Sequence, residues 1–261
     1  MAMDAGWSKS RISRLGKALI SMSPPPAERL EELHQLLMVY DEALDVAVGR
    51  IREHTNVQTT SRLKNTGTIL EKLRRSGGGS LGNIQDLAGI RIVLDCDLTE
   101  QIRFARRIEK IFFAEARPPK LVDRRFEGVR GYRAIHVIVT VDGRPVEIQI
   151  RTRLQHQWAN LFEKLADIVG RGIRYGEPPD EWTVLFDVDV ESPQNLVDLL
   201  VTRFEALSEE IRVCEMASTF HGNPEPFEET DPPDELPSLE EVETRKEIVL
   251  ETARAIETMF S

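Results

Sequence analysis

Two adjacent stretches, AIHVIVTV at 134–141 and PVEIQIRT at 145–152, alternate apolar and polar side chains across a short Asp142-Gly143 connection. Alternation with a period of two predicts β-strands, and Asp-Gly between two such strands predicts a tight hairpin. One face of the hairpin is apolar and is expected to cover a hydrophobic core. The opposite face is either a solvated sheet surface or the floor of a polar site, and it carries His136, Glu147, Gln149 and Arg151.

The other hydrophobic patterns predict a mixed α/β fold with helical additions on both sides. Apolar residues at intervals of three and four predict helices over about 30–54, 66–75, 99–113, 152–168, 194–216 and 238–260. β-Branched runs predict strands over 89–95 and around Leu121. We therefore divide the chain into an N-terminal helical extension (1–57), a central domain (58–178) and an acidic, helical C-terminal extension (179–261).

Three segments carry weaker signals. Gly77-Gly78-Gly79 is expected to end the second helix. Residues 182–191 have the pattern of a strand or a loop, and residues 222–237, rich in proline and acidic side chains, are expected to form a linker. Ser238 and Glu241 have capping-box spacing, which predicts that the last helix begins there.

Charge is distributed unevenly along the chain. Residues 225–261 hold 12 acidic and three basic side chains, and they account for −9 of the net charge of −10. The remainder is nearly neutral and contains basic patches, so composition does not exclude a phosphate-rich substrate. The two cysteines lie far apart without paired spacing, and no apolar run is long enough to span a bilayer. These features predict a cytoplasmic protein without a disulfide framework or a zinc site.

Basic and acidic side chains collect at two further places. Arg62 and Lys64 precede the helix at 66–75 in an irregular lead, and Lys72 and Arg75 share one side of that helix. Cations near a helix start form either a polyphosphate cradle or a solvated basic face. Asp86, before a strand, either caps a turn or joins Glu147 in holding a hard cation such as Mg²⁺.

The order of these motifs resembles the synthetase domain of RelA/SpoT-type alarmone synthetases over about residues 60–168. The matching motifs are R-x-K at 62–64, D-x-x-G-I-R at 86–91, G-Y-R-x-x-H at 131–136 and E-x-Q-I-R-T at 147–152. No His-Asp dipeptide occurs, so the chain resembles the small, synthetase-only members that lack the hydrolase domain. The resemblance implies a nucleotidyltransferase-like core with a mixed sheet flanked by helices.

The same resemblance implies a reaction and a set of site residues. The family transfers the β,γ-diphosphate of ATP to the 3′-hydroxyl of GDP or GTP, with Mg²⁺ as cofactor, and releases AMP. Asp86 and Glu147 match the magnesium-binding pair, and Glu147 also matches the group that deprotonates the attacking hydroxyl. The ATP-binding positions are Arg62, Lys64, Lys72 and Arg75. The acceptor-binding positions are Tyr132, on which the base stacks, with His136, Gln149 and Arg151. Arg130, in the loop before Tyr132, is assigned to the acceptor as well.

The chain departs from the family on the acceptor side. The loop reads KLVDRRFEGVRGYRAIH, with Glu127-Gly128 where the family has Pro-Lys, and the missing charge is expected to come from Arg124, Arg125 and Arg130. A toxic subgroup of small alarmone synthetases supplies the alternative function, pyrophosphorylation of the tRNA 3′ CCA end or synthesis of adenosine alarmones. That reading would add tRNA, contacted by the basic residues at 9–17, and a neutralising antitoxin as partners. A catalytically inactive nucleotide- or RNA-binding module is the further alternative.

Overall fold

The computed structural model describes residues 6–75, 81–115, 117–127, 129–177, 193–222 and 236–259. The predicted glycine stop at 77–79 and the strand or loop at 182–191 lie outside these residues, as does most of the predicted linker at 222–237. The fold is mixed α/β, with a five-stranded mixed sheet flanked by helices, as predicted. Its helices are α1 (Lys9–Ile20), α2 (Ala27–His54), α3 (Thr66–Arg75), α4 (Leu98–Ile111), α5 (Arg153–Val169), α6 (Pro193–Gly222) and α7 (Leu239–Met259). Its strands are β1 (Thr59–Leu63), β2 (Ala88–Leu94), β3 (Lys120–Asp123), β4 (Ile135–Val141) and β5 (Arg144–Thr152).

The predicted hairpin is the centre of the sheet, whose strand order is β1-β2-β5-β4-β3. Asp142 and Gly143 connect β4 to β5 with φ values of +47° and +75°. Left-handed φ at both positions is what a two-residue hairpin turn requires, because it matches the twist of the flanking strands. The predicted apolar face is fully buried on both strands and consists of Ile135, Val137, Val139, Val141, Val146, Ile148 and Ile150.

Capping side chains fix the starts of two helices. Thr152 accepts a hydrogen bond from the Gln155 amide at the start of α5, and the Gln155 side chain reaches back to the Thr152 backbone. Ser238 and Glu241 form the predicted box before α7, with the Glu241 carboxylate 2.8 Å from the Ser238 amide. Each such cap satisfies amide donors that the first helical turn leaves unpaired.

The sequence patterns missed strand β1. Its residues TTSRL are mostly exposed and show no apolar alternation, so they carry no local strand signal. The strand exists because it pairs antiparallel with β2, which places Arg62 opposite Gly89. The prediction that Arg62 lies in an irregular lead is therefore wrong. Helix α1 was also not foreseen, and it buries Ile12, Leu15 and Leu19.

Backbone contacts divide the chain into two compact units. The first comprises residues 1–92, 104–122 and 136–150, and the second comprises 93–103, 123–135 and 151–261. Within the second unit, α5, α6 and α7 pack around an apolar cluster that includes Trp158, Phe162, Phe204 and Val249. The division into segments 1–57, 58–178 and 179–261 remains a prediction. In the described part of the chain, no helix combines the length and apolar character needed to cross a bilayer.

Substitution of alanine for glycine is expected to change stability in opposite directions at Gly49 and at Gly143. A Cβ at either Gly49, inside α2, or Gly143 would meet nothing within 4 Å, but only Gly143 has a left-handed φ. Gly49→Ala is expected to raise the free energy of unfolding by about 1 kcal/mol, because alanine favours the helix. Gly143→Ala is expected to lower it by about 1–2 kcal/mol, because a Cβ strains the left-handed turn. Urea unfolding of both variants measures the two changes in free energy of unfolding. Changes in the same direction would contradict the assigned turn.

Candidate active site

The carboxylate of Asp86 is held by two lysines within the first unit. Lys64, directly after β1, donates from Nζ to Oδ2 at 2.5 Å, and Lys72, in α3, donates to Oδ1 at 2.9 Å. The position of Lys64 is fixed by its own amide, which donates to the Leu87 carbonyl at 2.8 Å. The R-x-K and D-x-x-G-I-R motifs and a lysine of α3 therefore meet at one acidic side chain.

The two lysines keep Asp86 ionised. Burial by itself would raise the pKa of the carboxyl, but the hydrogen bonds and positive charges of Lys64 and Lys72 outweigh it, so the pKa lies below its usual range. The side chain is 26% exposed, which leaves it accessible to a substrate or an ion. Asp86 is thus an anion at neutral pH with two cations already beside it.

Glu147 is the second carboxylate of the site and projects from β5. His136, on β4, approaches its Oε1 through Nδ1 at 2.9 Å, and Gln149 donates from Nε2 to Oε2 at 2.8 Å. Burial would raise the pKa of Glu147, and the negative charge of Asp86 acts in the same direction. The hydrogen bonds from His136 and Gln149 and the His136 charge outweigh both, so the pKa is lowered. The polar face of PVEIQIRT is therefore an ordered, half-buried network.

The two carboxylates fit the predicted magnesium ion. Both Asp86 and Glu147 are ionised, and the charge of Asp86 acts on the pKa of Glu147. Both side chains therefore offer hard oxygen donors to a cation. Among the described residues, no group of three or more His, Cys, Asp or Glu side chains forms a metal cluster. Magnesium commonly takes only one or two protein carboxylates and completes its shell with phosphate and water oxygens. Asp86 and Glu147 would hold the ion, which would neutralise phosphate charge.

The other two predicted ATP-binding cations lie on the protein surface. Arg62 is exposed in β1, and Arg75 is the exposed last residue of α3. Lys72 also lies in the last turn of that helix, so the prediction of cations around the helix start is wrong for both Lys72 and Arg75. Asn65 already caps the start, since its Oδ1 accepts from the Thr68 amide at 2.8 Å. Asn65 therefore occupies the start of α3, and the basic residues of this helix lie at its other end.

Three predicted acceptor residues belong to the second unit. Arg151 donates from Nη2 to the Tyr132 hydroxyl at 3.0 Å, and its guanidinium lies 5.0 Å from the centre of the Tyr132 ring. Arg151 is buried and thereby fixes one edge of the half-buried tyrosine. Arg130 has a left-handed φ of +55°, and its guanidinium packs on Gly176, where an added Cβ would lie 2.5 Å from Nη2. His136 and Gln149, by contrast, hold Glu147 in the first unit.

The arginines of the acceptor loop have different roles. Arg125 is 1% exposed, donates to both Asp123 oxygens and reaches the Leu98 carbonyl at 2.7 Å. Its guanidinium is buried and paired with Asp123, so the expectation that Arg125 adds charge for a substrate is wrong. Arg124 is exposed, and its backbone amide donates to the Ala134 carbonyl. The sequence patterns gave Arg133 no role, although the structure buries it with four hydrogen bonds.

Comparison with known proteins identifies the central part of the chain. Residues 61–166 match the model of a family described as the region found in RelA/SpoT proteins. Uncharacterised proteins of Mycobacterium tuberculosis and Mycobacterium bovis are 43% identical over 178 residues, which cover 67% of this chain and 64% of theirs. The crystal structure of small alarmone synthetase 1 from Bacillus subtilis, bound to its product pppGpp, covers 75% of this chain and 100% of that one. The two sequences are 22% identical and the TM-score is 0.50, so the similarity is one of fold.

The pKa of Glu147 generates a prediction about stability. Because the pKa is lowered in the folded chain, the ionised carboxylate stabilises the fold at pH values above the unfolded value of about 4.3, and this contribution is lost as the pH falls through the folded pKa. Glu147→Gln should therefore have a lower free energy of unfolding than the wild type at pH 7. The difference between the two proteins should become smaller below about pH 4.5. Urea unfolding of both proteins at pH 7, 5 and 4 measures this difference in free energy of unfolding. A difference that does not change with pH would contradict the assigned ionisation.

Proposed function

Residues 61–166 of this protein belong to the RelA/SpoT family, and we propose that the protein is an ATP-dependent pyrophosphokinase acting on guanine nucleotides. The 3′-oxygen of GDP or GTP attacks the β-phosphorus of ATP. A new bond forms between that oxygen and phosphorus, and the bond from the β-phosphorus to the oxygen of the α-phosphate breaks. AMP leaves, the hydroxyl proton passes to a base, and the product is a guanosine alarmone.

One observation carries this proposal: two ionised carboxylates and two lysines are assembled in the first unit by the motifs that the family shares. Asp86 with Lys64 and Lys72, and Glu147 with His136, form networks that a purely structural sheet face does not need. Charges that are partly removed from water are costly to a fold, and a cluster of them in one place favours a functional site. A module that only binds nucleotides would not require the acidic pair.

Lys64 and Lys72 act on the phosphate chain of ATP. In the described structure they neutralise Asp86, and a polyanionic triphosphate offers them stronger partners. Transfer of a phosphoryl-type group depends mainly on positioning and on neutralising the equatorial oxygens, which two ammonium groups can do without a covalent intermediate. A magnesium ion on Asp86 and Glu147 would add further positive charge to the same oxygens.

Glu147 receives the proton of the attacking hydroxyl. His136 holds one carboxylate oxygen and Gln149 the other, so the group is oriented as well as ionised. Its lowered pKa makes it a weak base, and it therefore acts by position, taking the proton as the 3′-oxygen bonds to phosphorus. His136 and Gln149 are consequently positioning residues for Glu147.

The acceptor nucleotide is assigned to Tyr132. The aromatic ring offers a stacking face, and its hydroxyl and ring are both engaged by Arg151, which restricts the ring orientation. Guanine nucleotides are the first choice because G-Y-R-x-x-H and E-x-Q-I-R-T resemble the acceptor motifs of the family. The tRNA alternative loses one supporting residue, because Arg125 is buried against Asp123. A neutralising antitoxin would follow only from that alternative.

The test is a transfer assay with γ-labelled ATP and Mg²⁺, run in parallel with GDP, GTP, AMP, ATP and deacylated tRNA. Label in a guanosine tetra- or pentaphosphate supports the proposal, and label on tRNA or on an adenosine nucleotide replaces it with the corresponding alternative. Glu147→Gln should lower turnover by at least about 10³-fold, because it removes a metal ligand and the base together. Turnover retained in that variant would remove Glu147 from its assigned role, and absence of label with every acceptor would leave a binding module.

A pair of tyrosine variants separates acceptor from donor binding. Tyr132→Ala is expected to raise the KM of the acceptor by about 5–150-fold, since stacking of one base contributes about 1–3 kcal/mol. Tyr132→Phe keeps the ring and loses only the hydroxyl contact with Arg151, so its acceptor KM should stay close to that of the wild type. Steady-state kinetics with ATP and acceptor varied in turn measure both constants. A matching rise in the KM of ATP for Tyr132→Ala would show that the division into donor and acceptor residues is wrong.

A further inference from the structure

We infer that helix α6, which lies beyond the matched region 61–166, positions the loop carrying Tyr132 through Ser208 and thereby governs acceptor use. The inference rests on the proposed function for its kinetic consequence, although the loop contacts are independent of it. Ser208 touches no proposed substrate atom and is a positioning residue.

The hydroxyl of Ser208 joins both neighbours of Tyr132. It donates to the Gly131 carbonyl at 2.5 Å and accepts from Arg133 Nε at 2.8 Å. Ser208 is 2% exposed, so water cannot easily replace either partner. The Gly131 carbonyl before the acceptor tyrosine and the Arg133 side chain after it are thus both bonded to one atom of α6.

Arg133 extends this connection to the start of the loop. Its Nη1 donates to the carbonyls of Arg125 and Phe126 at 2.6 and 3.1 Å, and its Nη2 donates to Glu209 at 3.1 Å. Burial lowers the pKa of Arg133, and Glu209 opposes that shift. A desolvated guanidinium with fixed donors holds its acceptors firmly, because an unpaired buried charge costs more than an unpaired neutral group.

Gly131 packs so closely against Trp158, Ser208 and Phe204 that there is no space for a side chain. Its φ is +80°, and an added Cβ would lie 2.8 Å from Trp158 Cζ2, 3.0 Å from Ser208 Cβ and 3.3 Å from the Phe204 carbonyl. This packing surface is rigid, since Trp158 donates to that same carbonyl at 2.7 Å and stacks on Phe162 at 5.0 Å. Helices α5 and α6 therefore fix the loop by shape as well as by hydrogen bonds.

The consequence concerns the entropy of acceptor binding. A loop already held in one conformation loses little freedom when a base stacks on Tyr132, whereas a loose loop must be ordered by the substrate. The lysines assigned to ATP belong to the first unit, where both donate hydrogen bonds to Asp86. Weakening the α6 anchor should therefore affect the acceptor and leave ATP unchanged.

The chain offers a matched pair of substitutions on α6. Ser208→Ala removes a hydroxyl with two partners, and Ser218→Ala removes a buried hydroxyl that has no partner in the described part of the chain. Ser208→Ala is expected to raise the KM of the acceptor that the wild type uses by about tenfold, the effect of losing hydrogen bonds that include one from a charged donor. The KM of ATP should stay within about twofold, and Ser218→Ala should change neither constant.

A second measurement is independent of catalysis. Hydrogen–deuterium exchange of peptides covering 129–135 should become faster in Ser208→Ala and remain at the wild-type rate in Ser218→Ala. If Ser208→Ala does not fold, as judged by circular dichroism, Glu209→Gln replaces it. That variant weakens the exposed end of the Arg133 network and also the ion pair of Glu209 with Arg212. It should raise the acceptor KM about threefold and accelerate exchange in the same peptides.

The outcomes separate this inference from the proposed function. Equal behaviour of Ser208→Ala and Ser218→Ala, or equal rises in the acceptor and ATP constants, would overturn the positioning role. A wild-type chain that transfers label to no acceptor would overturn the proposed function and with it the role in acceptor use. The exchange rates would then still decide whether α6 holds the loop.

Discussion

Burial of one face of the β4–β5 hairpin is the constraint on which the site depends. Val139, Val146 and Ile148 have no exposed surface, and burial of each such side chain contributes about 1.5–3 kcal/mol. A shift of the strand register by one residue would turn all of these side chains to the other face, so the register is strongly fixed. Fixing it also fixes the opposite face, where His136 reaches Glu147 at 2.9 Å. The hydrophobic core thereby determines the geometry of the polar network.

The two carboxylates show different ways of keeping a half-buried anion ionised. Asp86 relies on the full charges of Lys64 and Lys72, whereas Glu147 relies on a histidine and a neutral amide. The charge on Asp86 also acts against ionisation of Glu147. Cations that approach both groups are therefore favoured, which accords with a site for phosphates and a divalent ion.

Position along the fold, and not residue type, decides what an arginine does in the second unit. Arg124 and Arg125 are adjacent in sequence, yet the first is exposed and the second is buried with its guanidinium on Asp123. Arg133 likewise belongs to a motif associated with substrate, and its side chain connects the loop to α6 instead. A count of basic residues in a loop therefore overestimates the charge available to a ligand.

The sequence by itself determined the central hairpin, the span of α3, the capped start of α7, and which residues share the polar face. These features follow from periodicity and from contacts a few residues apart, which are visible locally. It could not determine β1, whose exposed residues form a strand only because β2 lies beside them. Nor could it join Ser208 to Gly131, a hydrogen bond between residues 77 positions apart. Only the tertiary structure decided these pairings, because the partners of an edge strand or a lone hydroxyl are chosen by long-range packing.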